Sequence, residues 1–248
     1  MPATAMPRIK AIAFDAYGTL FDVHSITALA EQLFPGKGGR LSQLWRAKQI
    51  EYSQLRTLAG RYKPFWPVTL DALVYAAHSL GLDLDDTKRS RLINQYACLA
   101  PFPENLEALK ELKAHGLPLA ILSNGTPEML AIAVKSAGMG GLFDHLLSVD
   151  SVQQYKTAPA AYQLGPDALG LPAREILFVS ANGWDAAGAT WFGYTTFWIN
   201  RGAQPLEQLD VQPTATGSRL DDVVAFVKTG RATASHQHTE DRPTGESP

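Results

Sequence analysis

Five short, mainly apolar runs punctuate this chain: Ile9–Phe14, Leu117–Leu122, Leu146–Val149, Ile176–Val179 and Thr195–Ile199. From residue 104 onward, stretches with helical periodicity separate them. This alternation constrains the fold more than any other feature. A repeated strand–helix unit builds a parallel sheet with helices on both faces. Strands buried on both sides read as nearly continuous apolar runs. The expected architecture is therefore α/β, a doubly wound parallel sheet of Rossmann-like type.

The intervening helices carry local signals. Leu106, Leu109 and Leu112 share one helical face that stops at Gly116. Thr126-Pro127-Glu128 is a helix start, with a capping hydroxyl, proline at the first position and an acid in the first turn. Helices over 159–169 and 185–192 close at Gly170 and Gly193, and a last amphipathic helix carries Leu220, Val223, Val224 and Val227. After the first strand, residues 25 to about 100 read as mainly helical. Leu41, Leu44, Trp45, Tyr52 and Leu55 outline one helix. Leu70, Leu73, Val74, Ala77 and Leu80 outline another, expected to start at a Thr69 cap and stop at Gly81. The expected organisation is a core over 8–22 and 101–228, a helical cap inserted over 23–100, and a disordered tail over 229–248, which is polar and rich in Thr, Ser, Gly and Pro.

Four polar clusters fall where strands should end: Asp15–Thr19, Ser123-Asn124-Gly125, Lys156, and Ser180–Asp185. In a parallel sheet these ends meet at one edge, so distant residues share one cleft. Taken alone, Asp15 reads as a turn or capping aspartate, and Ser123-Asn124-Gly125 as a turn. Lys156 alone is a solvated charge, and Asn182 or Asp185 alone is a helix cap. Together the four clusters favour a site in which Asp15 is a nucleophile. A lysine beside it would keep it ionised. Thr19 either orients Asp15 or caps the next segment, and Trp184 is pocket wall or core. Arg46, on a helix of the insertion, reads as exposed.

Composition excludes several classes. The net charge of −2, with both signs mixed, gives no electrostatic case for nucleic acid or an anionic membrane. No stretch approaches the roughly 20 apolar residues of a membrane span. The single cysteine, Cys98, forbids an internal disulfide and suits a reducing cytoplasm. Residues 1–10 lack the apolar core of a signal peptide. The six histidines form no ligand spacing beyond His236 and His238 in the tail, so no Cys/His metal site is expected.

From about residue 8 to 228 the chain resembles the haloacid dehalogenase superfamily and, within it, the type II L-2-haloacid dehalogenases. Six segments carry the resemblance: Phe14-Asp15-Ala16-Tyr17-Gly18-Thr19-Leu20-Phe21-Asp22-Val23; Leu44-Trp45-Arg46 with Gln49-Ile50-Glu51-Tyr52; Ile121-Leu122-Ser123-Asn124-Gly125; Tyr155-Lys156; Phe178-Val179-Ser180; and Asn182-Gly183-Trp184-Asp185. Phosphatases of the superfamily place a second Asp two residues after the nucleophile and often an acid four residues before the final Asp. Here those positions are Tyr17 and Ala181. Two fewer carboxylates leave less charge to recruit Mg²⁺.

The resemblance implies a metal-independent, cofactor-free hydrolase. Asp15 would displace halide from C2 of an (S)-2-haloacid, and water would hydrolyse the resulting ester, leaving an (R)-2-hydroxyacid. It assigns Arg46 and Asn124 to the departing halide, which replaces the exposed reading of Arg46. Thr19 and Ser180 are expected to support Asp15, and Ser123 and Lys156 to position the substrate carboxylate. Lys156 would also hold Asp15 charged. Tyr162, Asn182 and Asp185 complete the site, with Asp185 either activating water or partnering Lys156. Tyr17, Phe65 and Trp184 would shape an apolar pocket. A homodimer is the expected assembly.

Three positions depart from the family's pattern. The usual Lys-Pro-x-Pro is Lys156-Thr157-Ala158-Pro159, which would free the loop that aims Lys156. The usual second Ser after Ser180 is Ala181, and the Gln that commonly follows the cap arginine is Ala47. The rival classes are a phosphatase with an unusual loop, against which Tyr17 and Ala181 count, and a catalytically silent binding protein.

Overall fold

The computed structural model describes residues 8–229. The expectations for the tail over 229–248, including His236 and His238, and for residues 1–7 lie outside the described residues, except that residue 229 is helical.

Six parallel strands form one sheet in the order β3-β2-β1-β4-β5-β6. They are β1 (Ala11–Phe14), β2 (Leu119–Ser123), β3 (His145–Ser148), β4 (Ile176–Ser180), β5 (Thr195–Ile199) and β6 (Ala215–Gly217). The chain leaves the central β1, builds outward through β2 and β3, then returns to build β4, β5 and β6 on the other side. That reversal at β1 is the topological switch point, where a doubly wound sheet opens its crevice. Phe14 pairs with Ile121 on one side and Val179 on the other. This register brings the residues that follow, Asp15, Ser123 and Ser180, to one edge.

Strand side chains alternate between two buried layers. Ile12, Phe14, Ile121, Leu177 and Val179 join the larger core. Ala13, Ala120, Leu122, Ile176 and Phe178 join the smaller one on the opposite face. This two-sided burial produces the continuous apolar runs of the sequence. Thr126 caps α6 (Pro127–Ser136) through Met129 N, with proline at the helix start. Gly170 and Gly193 end α7 (Pro159–Leu169) and α8 (Gly183–Phe192) in left-handed conformation.

Between β1 and α5 (Asn105–Ala114) lie four helices: α1 (Thr27–Leu33), α2 (Gly38–Leu58), α3 (Phe65–Ser79) and α4 (Asp86–Ala97). The start of α3 corrects the sequence reading. Thr69 is not its cap but lies one turn inside, buried, with its hydroxyl donating to Phe65 O at 2.8 Å. Pro64 supplies an extended residue that starts the helix without a side-chain cap. The three-residue edge strand β6 carries no apolar run and had no sequence signal.

Candidate active site

Asp15 leaves β1 beneath a tight loop whose turn is made at Gly18, with φ of +98°. Both oxygens of its carboxylate accept hydrogen bonds. Oδ2 accepts from Thr19 Oγ1 at 2.9 Å and Asn182 Nδ2 at 2.8 Å. Oδ1 accepts from Lys156 Nζ at 3.0 Å. Thr19 also accepts from Ala181 N at 2.8 Å, so the hydroxyl has one orientation, donating to Asp15. Here Ala181 contributes through its main chain.

Lys156 lies beneath Asp15, 1% exposed, and its ammonium bridges Asp15 Oδ1 and Asp185 Oδ2 at 3.0 Å each. Tyr162 donates to the other oxygen of Asp185 at 2.7 Å. Burial works against the charged lysine, but the two carboxylates outweigh it and hold its pKa above the ordinary value. Burial pushes the Asp185 carboxyl up from the usual carboxylate range, with Lys156 opposing. The positive charge between the carboxylates is thus the protein's own. Among the described residues, no group of three or more His, Cys, Asp or Glu side chains is arranged to hold a metal ion.

The loop carrying Lys156 is well anchored despite its missing proline. Lys156 N donates to Asn124 Oδ1 at 3.0 Å, Tyr155 N to Thr57 Oγ1 at 2.9 Å, and Tyr155 Oη to Lys63 O at 2.5 Å. The last two contacts tie the loop to the inserted helices.

Above Asp15 is a small cavity lined by Asp15, Tyr17, Arg46, Phe65, Ser123, Asn124 and Trp184. Seven residues from five separate stretches of sequence thus converge. Ile50 and Ser53 complete the lining. Sequence reading missed both, although they sit one and two turns after Arg46 on α2. Arg46 reaches down from α2 and donates from Nη2 to Tyr17 O at 2.9 Å and Asn182 Oδ1 at 3.4 Å. Ser123 Oγ accepts from Gly125 N at 3.1 Å. The cavity measures about 10 Å³, close to a single water position.

Six expected site residues, Thr19, Lys156, Tyr162, Ser180, Asn182 and Asp185, lie outside the cavity lining. Tyr162 and Asp185 form the floor under Lys156. Asn182 sits beside Asp15 and Arg46. Ser180 does not bond Asp15: its hydroxyl accepts from Asn182 N at 3.1 Å and so shapes the turn that delivers Asn182. Lys156 is absent from the lining because both carboxylates hold its ammonium below.

Tyr17 sets the apolar side. It is 3% exposed, its ring lies 6.0 Å from those of Phe65 and Tyr96, and its hydroxyl has no hydrogen-bond partner among the described residues. Burial, with Tyr96 adding and Arg46 opposing, raises its pKa far above the ordinary value, so the ring stays neutral. Gly125 is required beneath it, since a Cβ there would stand 2.8 Å from Tyr17 Cε2.

A family model for haloacid dehalogenase-like hydrolases matches residues 9–193. An (S)-2-haloacid dehalogenase from Pseudomonas sp. (strain YL) is 49% identical over 229 residues, covering 92% of this chain and 99% of its own. A crystal structure of an L-2-haloacid dehalogenase superposes with a TM-score of 0.88 at 61% identity, covering 89% of this chain and 99% of its own. The L-2-haloacid dehalogenase from Xanthobacter autotrophicus with chloropropionic acid covalently bound superposes with a TM-score of 0.84 at 38% identity, covering 89% and 98%.

Proposed function

The chain belongs to the haloacid dehalogenase-like hydrolases, and from that premise we propose that it hydrolyses (S)-2-haloacids to (R)-2-hydroxyacids and halide through an ester on Asp15. The observation that carries the reading is Asp15 itself, held by Thr19, Asn182 and Lys156 at the floor of a cavity with Arg46 above it. The names of the relatives agree with it, and so does the neighbour with chloropropionic acid covalently bound.

The geometry supports a division of labour between the two oxygens of Asp15. Oδ1 accepts one hydrogen bond and Oδ2 two, so Oδ1 has the lone pair free for attack. Oδ1 displaces halide from C2, the halide leaves with the bonding pair, and the stereocentre inverts. Holding substrate in line supplies a large part of the rate, with effective molarities of about 10⁵ M or more. Arg46 and Asn124 receive the halide. Ser123, whose oxygen accepts from Gly125 N, offers its proton to the substrate carboxylate. Tyr17, Phe65 and Trp184 enclose the alkyl part.

Water then attacks the ester carbonyl carbon of Asp15. Negative charge develops on Oδ2, where Thr19 and Asn182 already donate, an oxyanion-hole arrangement. The bond from Oδ1 to that carbon breaks, and Lys156 is placed at 3.0 Å to protonate the departing hydroxyacid oxygen. Of the two protons the attacking water releases, one restores the Lys156 ammonium and the other leaves, so that one halide and one proton are released per turnover. The burial of Asp185 against Lys156 and Tyr162 supports an anchoring role over water activation. Lys156 is better supported as the charge partner of Asp15 than as a ligand for the substrate.

We infer a homodimer in the cytoplasm. Exposed Leu55, Leu58 and Tyr75 on α2 and α3 give an apolar surface suited to self-association. The lone cysteine suits a reducing compartment. Light scattering tests the assembly: a mass of one chain overturns it. For the activity, halide release is measured from each enantiomer of 2-chloropropionate in the presence of chelator. Release from the (S) form alone is expected, and no release from it overturns the reading.

A further inference from the structure

Arg46 is not held by the core alone. Its Nη1 donates to Gln49 Oε1 at 2.8 Å, one turn further along α2. The same oxygen accepts from Tyr96 Oη at 2.9 Å, on α4. Gln49 Nε2 donates to Thr69 Oγ1 at 2.6 Å, and Thr69 donates to Phe65 O at 2.8 Å. Trp45 Nε1 donates to the main-chain oxygen of Thr69 at 2.8 Å. Gln49 and Thr69 are completely buried and Tyr96 nearly so.

The polarity of this chain is fixed at one end. Thr69 spends its only proton on Phe65 O, so it can only accept from Gln49. That forces the Gln49 amide nitrogen toward Thr69 and its oxygen toward Arg46. An amide turned the other way would place an N–H against the guanidinium and another against the donor of Tyr96. Thr69 therefore sets the orientation of Gln49, and Gln49 sets the azimuth of the guanidinium. Arg46 has spent three of its N–H contacts, on Gln49, Tyr17 O and Asn182 Oδ1. Tyr96 also lies within reach of the guanidinium, and what remains of its five-donor fork is available to an anion in the cavity that Arg46 lines.

We propose that Gln49, oriented by Thr69 and Tyr96, is a positioning residue for halide departure, aiming the unspent donors of Arg46 at the leaving halogen. The inference rests on the halide role proposed for Arg46. It adds Gln49, Thr69 and Tyr96, one from each of three inserted helices, and none of these three residues lines the cavity. It also links the Phe65 wall to Arg46 by one hydrogen-bonded path, so the apolar wall and the anion donor move as a unit.

A general packing role and an aiming role make different predictions. Aiming matters most for the poorer leaving group, because chloride needs more stabilisation than bromide as the carbon–halogen bond breaks. Gln49→Met keeps the volume and removes the acceptor. Thr69→Val removes the hydroxyl that orients the amide, whereas Thr69→Ser retains it. For each variant, kcat is measured with (S)-2-chloropropionate and (S)-2-bromopropionate, together with product inhibition by bromide and the melting temperature. Losing a hydrogen bond to a charged group is expected to raise the bromide inhibition constant about tenfold in Gln49→Met and to lower kcat for the chloro substrate about fivefold more than for the bromo substrate. Thr69→Val should move both readouts in the same direction, and Thr69→Ser should restore them.

Equal loss with both substrates at unchanged bromide inhibition, in both Gln49→Met and Thr69→Val, overturns the proposal. Thr69→Val covers the case in which Gln49→Met fails to fold. Arg46→Lys, run in parallel, separates the layers. If it shifts bromide inhibition and Gln49→Met does not, the positioning role alone falls. If it leaves both readouts unmoved, the halide role of Arg46 falls and the proposal with it.

Discussion

Replacing Lys156 with Met removes the ammonium that bridges two buried carboxylates. Lys156 bridges Asp15 and Asp185 at 3.0 Å each, and Asp185 is completely buried. Without the ammonium, Asp185 folds more favourably protonated than ionised. Forcing a carboxyl with an ordinary pKa near 3.9 to take a proton at pH 7 costs about 4 kcal/mol, at about 1.36 kcal/mol per pH unit. Asp15 borders the cavity and adds less. The expected loss is therefore about 4 kcal/mol at pH 7, within the range of about 3–5 for breaking a buried pair. For a chain of this size it corresponds to a fall in Tm of about 8–16 °C.

The sign with pH is definite. The variant's folded state holds the Asp185 proton more tightly than the unfolded state does. Its stability therefore falls as pH rises above the unfolded carboxyl value. At pH 5 the loss should shrink to about 1.5 kcal/mol. Wild type has a smaller fall of the same sign, because Lys156 opposes the rise of the Asp185 carboxyl; the Lys156 pKa is itself raised by its two carboxylates, so its contribution is fully present below 10.5 and is lost only as pH rises through the folded value above that. Denaturant unfolding of both proteins from pH 5 to 8 reads the difference. Adding Asp185→Asn to the lysine variant should restore most of the stability and abolish the pH slope, without restoring turnover. A loss under about 1 kcal/mol at pH 7, or one that does not vary with pH, would refute the reasoning.

Two further substitutions test the cavity. Gly125→Ala sets a Cβ 2.8 Å from Tyr17 Cε2 and 3.4 Å from Leu130 Cδ2; overpacking should cost about 1–3 kcal/mol and raise KM for 2-chloropropionate, as steady-state kinetics and unfolding will report. Tyr17→Phe removes a buried hydroxyl without a partner among the described residues, so stability should hold or rise by up to about 1 kcal/mol; a clear loss on denaturant unfolding would show that the hydroxyl is satisfied.

What could be read from the chain depended on how local each signal was. The strands, the Thr126 cap and the glycine stops depend on near neighbours, and the sequence states them directly. The Asp15 cluster was legible because parallel strands must deliver their ends to one edge, whatever lies between. Thr69 misled because a threonine ahead of an apolar helical face has the pattern of a cap. Its hydroxyl instead bonds backward one turn, and Pro64 starts the helix. β6 had no signal because three edge residues paired on one side need no apolar run. The partners of Arg46 were only half visible. Gln49 lies three residues on, a neighbour on any helix, but Thr69 and Tyr96 come from other helices and meet it only through packing. Ser180 showed the same limit: its place at a strand end was readable, whereas its bond to Asn182 rather than Asp15 was not.

Whether Asp15 is the nucleophile can be measured directly. A single turnover of (S)-2-chloropropionate is run in ¹⁸O-water with enzyme in excess, and the peptide containing Asp15 is weighed by mass spectrometry. The expected result is label in the Asp15 carboxylate and unlabelled 2-hydroxypropionate, because water attacks the aspartyl carbon and the departing hydroxyacid carries an oxygen that Asp15 already held. Unlabelled Asp15 beside labelled product would contradict the ester route and point to direct attack by water on C2.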